Sequence, residues 1–276
     1  MNLLDNYELV ESTIRSLYDS KLRLAILDAL SEQSMPLSDL RRKVDANAPN
    51  TSSKAKDLEN MGLLTREKGD YKLTEWGQAV HRRTEKSISF FSTYEKHKEF
   101  WNNHITSGIP SHLWDDLGAL DESLIVTPTV ENVIEVHDSF KKLLAMIKER
   151  FYGVSPIYHR EWFDLLLFIV ENGIDTKIVF SPSILHVMQT SPTKEEIAAL
   201  DKADNAEFFL YDTTSLDVAF TVSETYLSMG LRSKTIRDQF VDADLQSWNP
   251  KAVDWGLRLF EYYKSKSKLV KLTNYL

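Results

Sequence analysis

The apolar positions of the N-terminal third change period along the chain. Leu17, Leu22, Leu24, Ala25, Leu27 and Leu30 recur at helical spacing and predict a helix closing near Ser31. Pro36 interrupts, and Ser38 is placed to cap a short helix burying Leu37, Leu40 and Val44. After the turn Asp45–Pro49, Thr51, Ala55, Leu58 and Gly62 fall on one face of a second helix, and Gly62 ends it. The opposite face of that helix carries Asn50, Ser52, Ser53, Lys54 and Lys56. Leu63–Glu67 and Tyr71–Thr74 are extended runs joined by Lys68-Gly69-Asp70, a hairpin signal, and Arg66, Lys68 and Lys72 decorate it. From Glu75 to His104 no proline occurs, and Trp76, Val80, Phe90, Tyr94, His97 and Trp101 recur every three or four residues. This predicts a long connector helix with an aromatic seam.

Beyond it the periods alternate. Ser123–Val126, Phe151–Pro156 and Thr176–Phe180 read as strands, with helices over Val130–Glu149 and Glu161–Glu171 between them. A β-α-β-α-β order predicts a mostly parallel sheet covered on both faces. Glu207–Tyr211, Leu216–Val222 and Thr225–Leu231 are further extended runs, the last two forming a hairpin, and a helix from Pro250 closes the pattern. The expected architecture is α/β, with domains at 1–86 and 108–276 joined by a connector at 87–107.

Charge sharpens the division. The chain of 276 residues has 41 acidic and 33 basic side chains, net −8, but residues 36–86 carry 11 basic against 8 acidic groups. An anionic partner should therefore meet the N-terminal third. A slim helix with short donors and lysines, followed by a basic hairpin, suits a DNA groove and its phosphates. The residues expected at double-stranded DNA are Asn50, Ser52, Ser53, Lys54, Lys56, Arg66, Lys68 and Lys72. The seam is expected to pack on the second domain or to pair two copies in a homodimer.

Zero cysteines excludes disulfides and thiolate metal sites. No apolar run approaches the roughly 20 residues of a membrane span, and residues 1–9 lack a basic leader, so a cytoplasmic protein with no membrane partner is expected. No metal and no cofactor are expected: His97, His104 and His112 lack convergent ligands, and nucleotide-cradling glycine motifs are missing. Asp115-Asp116 and the pair Asp242 and Asp244 are expected to face solvent or cap helices. Ligands of open α/β sheets sit beyond the carboxyl ends of strands. That places Ser155, Tyr158, His159, Ser181, Tyr211 and Asp212 around a small-molecule effector site. The competing assignment of those residues is to caps and packing.

Two phrases, Lys56–Leu64 and Tyr71–Gly77, resemble the winged-helix domains of archaeal and ArsR-like regulators. Ser107–Pro110, Gly153–Pro156, Glu171–Ile174, Asp244-Leu245 and above all Ala252–Tyr263 resemble the methanogenesis-regulator family. That resemblance implies an archaeal transcription regulator, a winged helix preceding a sensor-like domain similar to phospholipase D-like folds. Enzymes of that fold carry His-x-Lys pairs, and none of the seven histidines here is followed by lysine at the second position. The expectation is a non-enzyme. The alternative is a phosphodiester or sugar-phosphate enzyme with an accessory helix-turn-helix.

Overall fold

The structure, a computed structural model, describes residues 2–129, 135–144, 146–158, 160–188, 192–212, 216–235, 240 and 243–275. The chain divides into two units, Met1–Ile88 and Ser89–Leu276.

In the first unit the order is α1 (Leu3–Tyr18), α2 (Lys21–Glu32), β1 (Met35–Pro36), α3 (Leu37–Lys43), α4 (Ala48–Asn60), β2 (Leu64–Glu67) and β3 (Asp70–Leu73). The single helix expected to end near Ser31 is in fact two. Ser20 takes extended backbone angles and its Oγ accepts from the Arg23 N–H at 3.3 Å, so α2 starts afresh after α1. Ser38 does not cap α3; the helix begins one residue earlier, behind Pro36, and Ser38 bonds Asp39 within the first turn. The three strands form an antiparallel sheet in the order β1-β3-β2. Leu17, Ile26, Leu27, Leu30, Leu40, Ala55, Leu58, Leu64, Tyr71 and Leu73 meet in one core.

Helix α5 (Glu75–Lys96) starts against the hairpin base. The Thr74 hydroxyl accepts from the Gly77 N–H at 2.9 Å, and a Cβ on Gly77 would sit 2.0 Å from the Leu63 carbonyl oxygen, so only glycine fits there. The helix expected to reach His104 breaks at His97, which leaves helical geometry, and α6 (Lys98–Asn103) turns Phe100 and Trp101 into the core of the second unit.

That unit continues with α7 (Ser111–Trp114), β4 (Leu124–Val126), α8 (Glu135–Leu144), β5 (Arg150–Ser155), α9 (Arg160–Glu171), β6 (Asp175–Phe180), α10 (Pro182–Met188), α11 (Lys194–Lys202), β7 (Ala206–Leu210), β8 (Val218–Val222), β9 (Leu227–Leu231), β10 (Asp244–Ser247), α12 (Pro250–Ser265) and β11 (Lys268–Val270). Of the helix expected over 130–149, α8 holds 135–144, residues 146–149 are not helical, and 130–134 and 145 fall outside the described residues. Among the described residues the sheet order is β11-β7-β6-β5-β8-β9-β10-β4.

This sheet is mixed, which corrects the expectation of a mostly parallel one. Only β5–β6 and β6–β7 are parallel, each closed by a helical crossover. β5–β8, β8–β9, β9–β10, β10–β4 and β7–β11 are antiparallel. β4 never joins β5; it lies at the far edge on β10. The short link from β8 to β9 enforces reversal, because a parallel return needs a crossover of a dozen or more residues. There the Ser223 hydroxyl accepts from the N–H groups of Thr225 and Tyr226 at 3.0 and 3.1 Å.

Helix α12 covers one face of the sheet, packing Trp255, Leu259 and Phe260 onto Val222, Leu227, Met229 and Leu245. Trp255 Nε1 donates to the Leu113 carbonyl at 3.0 Å and the Tyr263 hydroxyl to that of Gly108 at 2.6 Å, tying α12 to the segment around α7. The other face carries Phe151, Ile178, Phe180 and Phe208 beneath α9 and α11. Both faces of β9 and β10 are buried. Asp244, expected to face solvent or cap a helix, is therefore inside the protein, 6 % exposed. Asp116 stands at the N-cap position of the 3-10 helix Leu117–Leu120 without a side-chain capping bond, and its carboxylate accepts from Arg258 at 2.8 Å. Asp242 lies outside the described residues.

Candidate nucleic-acid interface

Helix α4 is set by its first turn. The Asn47 Oδ1 accepts from the Asn50 N–H at 2.9 Å, and Pro49 occupies a position where no N–H is needed. Thr51, Ala55 and Leu58 are fully buried against the unit's core. That burial turns Asn50, Ser53, Lys56 and Asn60 to solvent, with Ser52 and Lys54 half-buried at the margins.

Two carboxylates on the same helix would cancel this face's attraction for an anion, and both are held by arginines. Arg23 of α2 places Nη2 at 2.7 Å and Nε at 3.3 Å from Asp57 Oδ2. The guanidinium keeps the Asp57 carboxyl below the usual range. Arg66 donates from Nε to Glu59 at 3.1 Å. Lys54 leans toward Asp57 at 3.5 Å, whereas Lys56 makes no ion pair among the described residues. Arg23 is a part of this surface that sequence reading missed, because its partner lies 34 residues away.

The β2–β3 hairpin closes on Lys68 and Gly69, at φ 51° and 98°. Two consecutive positive φ values form a type I′ turn, whose twist matches the strands. Lys68 thus sits exposed at the tip and makes no ion pair among the described residues. Arg66 is engaged within the unit: besides Glu59 it bonds the Tyr71 hydroxyl and lies 4.3 Å over that ring. Lys72 is 3.6 Å from Glu67.

The strand-end residues of the second unit do not form one cluster. Ser155 and Ser181 end the adjacent parallel strands β5 and β6. Ser155 Oγ donates to the Ile157 carbonyl at 2.8 Å, and Ser181 shares a 2.7 Å hydrogen bond with the Ser183 hydroxyl at the start of α10. Tyr158 packs with the α9 side of the sheet, 6.2 Å from the Phe163 ring, and its buried hydroxyl has no partner among the described residues. Tyr211 packs on the opposite face, 5.2 Å from Tyr263. The Asp212 side chain is 79 % exposed, 3.8 Å from Lys268. His159 lies outside the described residues.

Comparison with known proteins bears on these surfaces. Residues 133–266 match the model of the middle domain of the methanogenesis regulatory protein FilR1, and residues 11–96 that of the HVO_A0261 N-terminal domain. The chain is 26 % identical over 261 residues to the methanogenesis regulatory protein FilR1 of Methanothrix harundinacea (strain 6Ac), across 90 % of this chain. The chain is thus similar to a methanogenesis regulatory protein over most of its length. The chain spans 56 % of the length of that relative. Its structure also overlaps TrmBL2, an archaeal chromatin protein described as showing a novel mode of DNA binding. That overlap has a TM-score of 0.44 and 15 % identity, over 95 % of this chain and 98 % of the other. Nuc from Salmonella typhimurium, of the phospholipase D family, overlaps at a TM-score of 0.39 and 13 % identity, over 54 % of this chain and 99 % of its own. At these scores neither overlap carries weight for fold or function. The family match at 11–96 spans α4 and the hairpin, and the match at 133–266 spans the sheet from β5 to β10.

Proposed function

We propose that this chain is a DNA-binding transcription regulator. Helices α3 and α4 act as a helix-turn-helix, the β2–β3 hairpin as its wing, and the second unit as the sensor of an effector. One observation carries the reading: α4 turns Asn50, Ser53 and Lys56 to solvent while its two carboxylates are bound by Arg23 and Arg66. A helix of that profile enters a major groove about 12 Å wide with hydrogen-bonding groups toward base edges and a cation toward phosphate. A tight hairpin tipped by Lys68 adds a phosphate contact beside it. The similarity of the chain to a methanogenesis regulatory protein supports the same reading.

The regulator works as a homodimer in the cytoplasm, without catalysis. Helix α1 exposes Leu3, Tyr7, Val10 and Ile14 at helical spacing, and α5 exposes Trp76 and Phe91. A second copy covering such apolar stripes removes them from water. Among the described residues no helix is long and apolar enough to cross a membrane.

Fluorescence anisotropy with labelled duplexes, recovered by selecting genomic fragments on the purified protein, tests the proposal. The association constant should fall linearly with salt on logarithmic axes, as counterion release requires. Absence of duplex binding at low salt would remove the DNA reading.

A further inference from the structure

The α8 side of strands β8, β9 and β10 holds polar groups that the fold leaves incompletely satisfied. Register places Thr221, Ser228 and Gln246 side by side across the three strands, and Asp244 and Tyr226 lie two residues from them on the same face. Ser228 Oγ and Gln246 Nε2 donate to one carboxylate oxygen of Asp244, Oδ2, at 2.7 and 2.8 Å. Ser139 of α8 donates to Gln246 Oε1 at 2.9 Å, which joins the cluster to the helix above. Asp244, 6 % exposed, makes no ion pair among the described residues. The hydroxyls of Tyr226 and Thr221, 0 % and 8 % exposed as residues, lie close enough to interact with each other and have no other partner among the described residues.

A buried carboxylate normally pairs with a cation, and buried hydroxyls normally find partners. Here one carboxylate oxygen is filled by neutral donors, the other accepts no hydrogen bond among the described residues, and two hydroxyls with lone pairs to offer stand nearby. A neutral polyol would satisfy the hydroxyls but leave the charge uncompensated. A cation bearing N–H groups satisfies both, donating to Asp244 Oδ1 and to the Tyr226 and Thr221 oxygens. We propose that this face of β8, β9 and β10 binds a small organic ammonium ion, with Asp244 as its counter-ion and Tyr226 and Thr221 as acceptors. The site rests on the reading of the second unit as a sensor, and it differs from the strand-end residues Ser155, Ser181 and Tyr211. Burial raises the Asp244 carboxyl, consistent with a charge that lacks its partner.

Thermal melts of the full chain at pH 7.5, without DNA, provide the test. Methyl-, ethyl- and propylammonium chloride are compared with sodium chloride at equal concentration and with the alcohols of the same chain length and glycerol. At least one ammonium ion should raise the melting temperature with concentration, and the alcohols and glycerol should not. Asp244→Asn, which keeps the hydrogen bonds from Ser228 and Gln246, should abolish the shift. Tyr226→Phe should weaken it about tenfold, the loss expected of one charge-assisted hydrogen bond. Ammonium ions acting no better than sodium chloride, an equal shift in Asp244→Asn, or a shift caused equally by glycerol would overturn the proposal. Because no DNA is present, a protein that shows the ammonium shift yet binds no duplex would overturn the regulator reading alone.

Discussion

Lys68 ties stability and binding together with opposite signs. Its φ of 51° lies in the left-handed region, where a residue with a Cβ costs roughly 1–2 kcal/mol. Asparagine tolerates that conformation far better and is favoured in type I′ turns. Lys68→Asn should therefore stabilise the first unit by about 1 kcal/mol, or about 4–8 °C in melting temperature for a unit of this size. The same change removes a cation from the proposed wing. Loss of one phosphate contact lowers the slope of log K against log salt by about 0.9, a weakening of about eightfold at 0.1 M salt. Circular dichroism melts and anisotropy titrations at several salt concentrations read the two effects separately. A higher melting temperature with an unchanged salt slope removes Lys68 from the phosphate contacts. A lower slope without stabilisation refutes the assignment of strain to the turn, and no change in either refutes both.

Other outcomes follow from the same coordinates. Lys56→Ala should lower duplex affinity and the salt slope more than Lys54→Ala, because Lys54 is drawn to Asp57; equal effects in titrations would refute the assigned difference. Gly256→Ala in α12 places a Cβ 2.7 Å from Leu227 Cδ1 and 3.2 Å from Val222 Cγ2, both on fully buried side chains. Overpacking of about 1–3 kcal/mol should outweigh the helix-propensity gain of about 1 kcal/mol, and a raised urea midpoint would contradict this. The Asp244 carboxyl is pushed up to about 6 from 3.8 by burial, so between those values the folded protein holds a proton that the unfolded chain has released. Its contribution to stability is complete below pH 4 and is lost as pH rises through 6, about 3 kcal/mol in all. Urea midpoints of Asp244→Asn relative to the parent should therefore climb across that window; a constant difference would refute the linkage.

The surface proposed to meet DNA takes its shape from local information, and its helix and hairpin were legible for that reason. The period of Thr51, Ala55 and Leu58 and Gly62 at the end were enough to orient α4, though Pro49, expected in the turn before it, lies in its first turn; Lys68-Gly69-Asp70 announces the hairpin, which closes in two residues because Asp70 pairs with Glu67. Helix α12 was readable for the same reason. The arginines that mask Asp57 and Glu59 were not, since each comes from another element. The break between α1 and α2 was hidden because Leu17 stays in step with the stripe of α2 although it belongs to the preceding helix.

Strand pairing marks the boundary between what the chain declares and what its fold decides. Alternation identifies β8 and β9 as strands, yet nothing in β4 says that its neighbour is β10 and not β5, because that choice is made by contacts more than 100 residues apart. Asp244 shows the consequence. In sequence it is one acid among several at a turn, and only the burial of both faces of β10 makes it an internal charge. Residue types and their periods determined which segments become helices and hairpins and which surface carries cations. The partnering of distant strands decided which polar groups lose their water, since desolvation depends on what packs above a side chain and not on its neighbours along the chain.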